Sequence, residues 1–409
     1  MAEKKNTCNL RTDRSIRVSM KRNRLWSTFH TCLLFVLLLH VPQQAVGART
    51  LPDTGQTQCY DDEFEISCPP PGQAFYGQDA QYRGPTRSYT KLGENGIVLP
   101  ETSTYEDGWI MTRDNVTGLV WEMKTSDDSI HRKGRTFTYC DKNPLTNGGN
   151  QGTCGTGTGD AATDTEAFIR ALNDASYGGF SDWRLPTVSE LSHLINSSIP
   201  LPGPAIDEQW FPNTIYWPGY WSFAAFGYRT LLAWRVSFAY GNVFDDYRTR
   251  NIYFIRVVRG ETSTSALTDN GNGTVTDRTT GLTWQRETAP GTYSWQSALS
   301  YCENLNLAGH KDWRLPNRNE LQSLVVYSRW NPAVEPLLVP YTAVELSLDA
   351  YYWSSTTYAS DTKWAWYVNF SFPQIYATDK RDGYYVRCVR KPSGEKFSTP
   401  AWLQLLLGD

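Results

Sequence analysis

Asp182-Trp183-Arg184-Leu185-Pro186-Thr187, with Glu190-Leu191 just beyond, recurs as Asp312-Trp313-Arg314-Leu315-Pro316-Asn317, with Glu320-Leu321. Four further blocks repeat around it in the same order. Gly118-Leu119-Val120-Trp121-Glu122 matches Gly281-Leu282-Thr283-Trp284-Gln285, and Tyr220-Trp221-Ser222 matches Tyr352-Trp353-Ser354. Ala233 to Phe238 (AWRVSF) matches Ala365 to Phe370 (AWYVNF), and Ile255-Arg256-Val257-Val258-Arg259 matches Val386-Arg387-Cys388-Val389-Arg390. An internal repeat of this kind decides the architecture before any local reading does. Two copies are too few for a solenoid, so the pattern predicts two globular domains side by side. Only the stretch between the first two blocks differs greatly in length. The first copy carries an extra Gly- and Thr-rich loop around residues 141–160.

The local pattern supports one α+β unit per copy. Pro186 and Pro316 keep the preceding segment extended. Thr187 with Glu190, and Asn317 with Glu320, read as capping boxes for a short helix with an apolar face of Leu191, Leu194 and Ile195, or Leu321, Leu324 and Val325. Trp183 and Trp313 supply a large buried plate, and the Asp and Arg of each block fix the turn by charge-assisted hydrogen bonds. An earlier helix is expected over Asp164–Asn173, with Thr163 and Glu166 as its capping box. Its counterpart is Trp295–Leu305, capped by Ser294. Short alternating strands follow, ending in Tyr384 to Arg390. Helices followed by antiparallel strands make an α+β domain.

The 409 residues and 40% apolar content suffice for packed cores. Lys21 to Arg24, the apolar run Leu33 to Leu39 and the small residues Val46-Gly47-Ala48 read as a secretory signal over 1–48, with Met20 as a start of ordinary length. Removing it leaves 31 basic and 40 acidic residues, a net charge of −9, which argues against nucleic acid or anionic lipid as a general partner. No later segment is apolar over 18 residues, so the exported chain is not expected to span a membrane. Six cysteines remain, an even number that suits disulfides in an exported chain. The repeat sets Leu172 opposite Cys302 and Val257 opposite Cys388. An apolar pair that becomes a cysteine pair predicts contact, hence Cys302–Cys388. Cys140–Cys154 then closes the inserted loop and Cys59–Cys68 an N-terminal one. Residues 49–104 read as an extended, disulfide-clipped segment without a core of its own, and 392–409 as a tail with an apolar patch over Trp402 to Leu407.

The blocks GLxW, DWRLPxxxEL, YWS and VRxVR resemble the Legionella collagen-like protein C-terminal domain family, over 105–260 and 267–391. The Trp183-to-Glu190 block is also similar to one in the formylglycine-generating enzymes. That resemblance implies two tandem C-type-lectin-like domains, each with two helices and a twisted antiparallel sheet, and a loop region that carries the binding surface. The family's namesake has a collagen tract; none is present here, so the resemblance does not extend to that trimerising stalk.

No catalytic constellation is legible. His131 lies in a polar loop, His193 on a capped helix and His310 in a turn, none with a partner at triad or metal spacing. Formylglycine-generating enzymes use a pair of reactive cysteines, whereas Cys388 has a structural partner in Cys302. No cofactor or metal is expected; calcium stays open at Asp269-Asn270-Gly271-Asn272-Gly273, although Gly occupies two of the ligand places of an EF-hand. Loops between the late strands differ between copies and carry the candidate ligand-binding residues: Tyr228, Arg229, Asp245, Asp246, Tyr247 and Arg248 in the first, and Tyr358, Asp361, Lys363, Tyr376, Lys380 and Arg381 in the second. The expectation is an exported, non-catalytic, adhesin-like protein that binds an extracellular glycan or protein. The alternatives are an oxidase of the formylglycine-generating type and a structural subunit of a surface assembly.

Overall fold

The computed structural model describes residues 51–200, 203–225, 230–250, 252–262, 265–343 and 350–391. The signal over 1–48, Met20 and the tail over 392–409 lie outside the described residues. Among the described residues, no helix is long and apolar enough to cross a membrane.

Each copy has its own small antiparallel sheet and two helices. In the first copy, Val258–Arg259, Val120–Glu122, Met111–Asp114 and Tyr89–Leu92 lie side by side in that order. In the second copy the sheet runs Leu267–Asp269, Thr274–Asp277, Thr283–Gln285, Val389–Arg390. Tyr89–Leu92 is thus the outer strand of the first copy, upstream of the boundary near 105 that the block pattern suggests. The Asp269-to-Gly273 cluster is the hairpin turn between two of these strands. The Asp269 carboxylate accepts from Gly271 N and from Arg286, and Asn272 accepts from Thr274.

The repeated block docks on the last strand identically in both copies. Arg184 exchanges backbone hydrogen bonds with Val258, and Arg314 with Val389. Arg184 then grips Glu190 through two 2.8 Å hydrogen bonds, and Arg314 grips Glu320 through two of 2.6 Å. Those glutamates also close the capping boxes on Thr187 and Asn317. Asp182 pairs with Arg259, and Asp312 with Arg390, so the second arginine of each VRxVR clamps the start of the block. The first arginine, Arg256 or Arg387, is fully buried and donates to backbone carbonyls, Glu122 O in one copy and Gln285 O in the other. The terminal guanidinium nitrogens thereby find acceptors, while each Nε has no partner among the described residues.

The helix Thr165–Asp174 is capped by Asp164, which accepts from Ala167 N, rather than by Thr163. A carboxylate one residue later does the same work and complements the helix dipole. The helix Trp295–Glu303 starts after Ser294 as expected, but the Ser294 hydroxyl bonds Ser297 and no helical N–H. The three disulfides are Cys59–Cys68, Cys140–Cys154 and Cys302–Cys388. Leu172 and Val257 occupy the matching places in the first copy and are buried together in its core.

The copies are not separate bodies. Three strands from each, Tyr220–Ala225, Leu232–Val236 and Val243–Tyr247 in one and Tyr351–Thr357, Trp364–Asn369 and Gln374–Asp379 in the other, form one six-stranded antiparallel sheet. The halves join where Val243 pairs with Ile375. Beneath it one apolar core draws on both copies, including Trp121, Leu191 and Trp234 with Trp284, Leu321 and Trp366. Arg318, with no exposed surface, crosses between them to Ser192 and to Gly241 O. The 49–104 segment, whose Tyr89–Leu92 strand lies in the first copy's sheet, also reaches the second copy. Gln56 exchanges two 2.8 Å hydrogen bonds with Thr357, and the buried Asp79 accepts from Thr54 and Thr356.

Candidate functional site

The loops singled out from the sequence divide sharply once placed. Arg248 is completely buried: it donates to Leu232 O, Asn147 O and Asn150 O, and so staples the inserted loop to the sheet. Lys380 is buried too, with Nζ 2.7 Å from Asp61 O and 4.0 Å from the Trp295 ring centre. Burial pushes its ammonium down to about 7, against the pull of Asp62 and Asp61. Both are framework residues. Chain carbonyls from distant segments satisfy them, which no local pattern announces.

Asp245 accepts from Gln374 across the seam between the copies, and Tyr376 stacks on Phe244 across the same seam at 6.4 Å. Asp246 bridges Arg235 and the Tyr253 hydroxyl. These three shape the seam rather than offer free groups. Tyr247, Asp361, Lys363 and Arg381 are exposed, with Arg381 held by Asp379. Tyr228 and Arg229 lie outside the described residues.

The surface that the loops do build is aromatic. Trp217 is 54% exposed and Tyr240 45%, their rings in edge contact at 5.9 Å. Tyr240 from the first copy and Tyr358 from the second face one shallow pocket with Asn196 and Ser360. Tyr358 lies 6.3 Å from Trp364, itself 41% exposed. Four ring systems therefore run across the junction of the copies, with amide and hydroxyl groups between them. Trp217 and Trp364 were not among the loop candidates. A signal existed for each: Trp217 precedes Pro218 in a loop, and Trp364 sits just outside the Ala-Trp-x-Val-x-Phe alternation.

His131 is better supported than its polar loop suggests. Its Nδ1 lies 2.8 Å from the fully buried Glu122 carboxylate, and its ring stacks on Tyr177 at 4.1 Å. Lys124 Nζ reaches the same oxygen at 2.8 Å. Burial works to raise the Glu122 carboxyl, yet Lys124 and His131 hold it below the usual carboxylate range. Gln285 replaces Glu122 in the second copy, so the cluster belongs to the first alone. Lys124 and His131 converge on one oxygen of the buried carboxylate. Among the described residues, no group of three or more His, Cys, Asp or Glu is placed to hold a metal ion.

The model of the Lcl C-terminal domain matches residues 110–259 and again 273–390, the two copies that the fold displays. The chain belongs to the Lcl C-terminal domain family. No curated protein matches the sequence. In this tandem member of the Lcl C-terminal domain family, the aromatic band draws on both copies. Its Tyr240 lies on a loop of the first and its Tyr358 on a loop of the second.

Proposed function

We propose that this protein is an exported recognition protein that binds a glycan or another extracellular polymer without transforming it. The observation that carries the reading is the band Trp217, Tyr240, Tyr358 and Trp364. Trp217, Tyr240 and Trp364 are exposed and Tyr358 is half-buried beside them, and exposed rings gathered in one place mark a contact surface. Flat ring faces beside hydroxyl and amide groups suit the apolar faces and hydroxyl edges of a sugar. Export is supported by three disulfides. A C-type-lectin-like fold for each copy is part of the same proposal and rests on the resemblance of the repeated block. The pairing of Cys388 with Cys302 speaks against the formylglycine-generating alternative, because it leaves neither thiol free to react. A glycan array probed with the exported chain tests the reading, with a Trp217→Ala/Trp364→Ala variant beside it. Selective binding that the variant loses is the expected result. Binding that survives the double substitution, or no selective binding by the parent, would refute it.

A further inference from the structure

A cavity of about 710 Å³ opens between the two copies, and none of its described wall residues belongs to the aromatic band. Equivalent hairpin turns of the two copies contribute to it, with Asp114 and Thr117 from the first and Asp277 and Thr280 from the second. The carboxylates of these turns are satisfied within them. Asp114 accepts from Val116 N and Thr117 N, and Asp277 from Thr279 N and the Thr280 hydroxyl. Glu190, also in the wall, is held by Arg184.

The apolar part of the wall is less complete. Leu145 is 91% exposed and Phe223 39%, and both line the cavity. Leu51 and Val326, half-buried, line it too. Leu145 belongs to the disulfide-closed loop that only the first copy carries, and Phe223 to a strand of the shared sheet. Apolar side chains bared to water from separate elements around one hollow mark a surface that another apolar group covers.

The described chain ends at the edge of this hollow. Lys391 lines a smaller pocket together with Leu51, Pro52 and Thr280, and those three residues line the large cavity as well. Beyond Lys391, no residue from Ser398 to Gly408 is charged, and Trp402-Leu403-Gln404-Leu405-Leu406-Leu407 contains a single polar side chain. Trp402 is eleven residues past Lys391, and eleven residues reach about 36 Å when extended. The apolar patch is therefore tethered beside the cleft, where a short linker gives an effective concentration on the order of millimolar.

We infer that the 402–407 segment packs into the cleft between the copies and plugs it, covering Leu145, Phe223 and Val326. In that position it holds the hollow shut to outside ligands, and its release opens it.

Hydrogen exchange read by mass spectrometry, on the exported chain and on one ending at Lys391, tests the inference. Truncation should speed amide exchange by about tenfold or more in 114–119, 143–147, 277–282 and 323–328. Exchange in 296–306, none of which lines the cleft, should not change. Trp402→Asp/Leu405→Asp should act like the truncation in the full-length exported chain, which separates loss of the plug from shortening. N-phenyl-1-naphthylamine, a neutral apolar fluorophore, should bind the shortened chain about tenfold more tightly than the full one. Val326→Trp, which fills the cleft from its wall, should cancel that gain, and circular dichroism checks that it folds. Unchanged exchange at the cleft segments, a change confined to other segments, or equal binding of the fluorophore by the two chains would overturn the inference. So would protection that appears only as the chain dimerises in sedimentation, which would assign the cleft to the tail of a second copy.

Discussion

Replacing Cys302–Cys388 with the pair found at the same places in the first copy tests how alike the two cores are. The disulfide closes a loop of 86 residues. On the chain-entropy account, losing that closure costs about 4.6 kcal/mol. Both cysteines are fully buried beside Trp295, Leu299, Trp313 and Val386. Cys302→Ser/Cys388→Ser adds two enclosed hydroxyls at roughly 1–3 kcal/mol each, for a total above about 6 kcal/mol. Cys302→Leu/Cys388→Val instead installs the Leu172 and Val257 solution. The added apolar atoms return roughly 1 kcal/mol each, less any strain, which leaves a net loss of about 2–3 kcal/mol. Urea unfolding of the parent and both variants under non-reducing conditions, followed by far-ultraviolet circular dichroism, measures the gap. The Leu/Val variant should be more stable than the Ser/Ser variant by about 3 kcal/mol or more. If the two are equally destabilised, the cores are not interchangeable and the inference from the repeat fails.

Three further outcomes are expected. Arg314→Ala breaks a pair whose side chains are 8% and 10% exposed and should cost about 3–5 kcal/mol; Arg184→Ala, where the arginine is 27% exposed, should cost clearly less in the same unfolding assay. Arg248→Ala strands the carbonyls of Asn147, Asn150 and Leu232; it should cost roughly 2–3 kcal/mol and open the 141–153 loop to limited proteolysis. Burial raises the Asp79 carboxyl from 3.8 to about 7, against the Thr356 and Thr54 hydroxyls, so its favourable contribution is complete below the unfolded value and is lost as pH climbs towards 7. Unfolding free energy should therefore fall by a few kcal/mol between about pH 4 and pH 7, and Asp79→Asn should flatten that slope; an unchanged slope in the variant would remove Asp79 as its cause.

What could be read from the chain was either local or repeated. The capping boxes at Thr187 and Asn317 follow from four consecutive residues. The arginines of the same blocks read as fixing the turn, and the structure adds that they grip the cap glutamates. The Cys302–Cys388 pairing followed from comparing the copies, because residues that change type together occupy one place in space. The fusion of the copies was not legible, since the strands at the seam alternate like any half-buried strand and nothing marks which edge stays unpaired. Arg248 and Lys380 misled for a related reason. A basic residue in a loop reads as solvated, and only the fold brings Asn147, Asn150 or Asp61 to it. His131 was undervalued because it lies nine residues beyond Glu122 in a polar loop, and only the fold turns that loop back onto the carboxylate.

Two copies welded through Val243 and Ile375 can no longer be shuffled like beads on a string. A rearrangement that deleted either one would strip cover from Trp234, Trp366 and their neighbours at once. Duplication here has ended in an obligate couple, and the couple has diverged where its members touch: Arg318 stands where the first copy has Val188, and it is Arg318 that reaches across to Ser192 and Gly241. Glu122 against Gln285, and Cys302 against Leu172, show divergence also in the parts each copy keeps to itself.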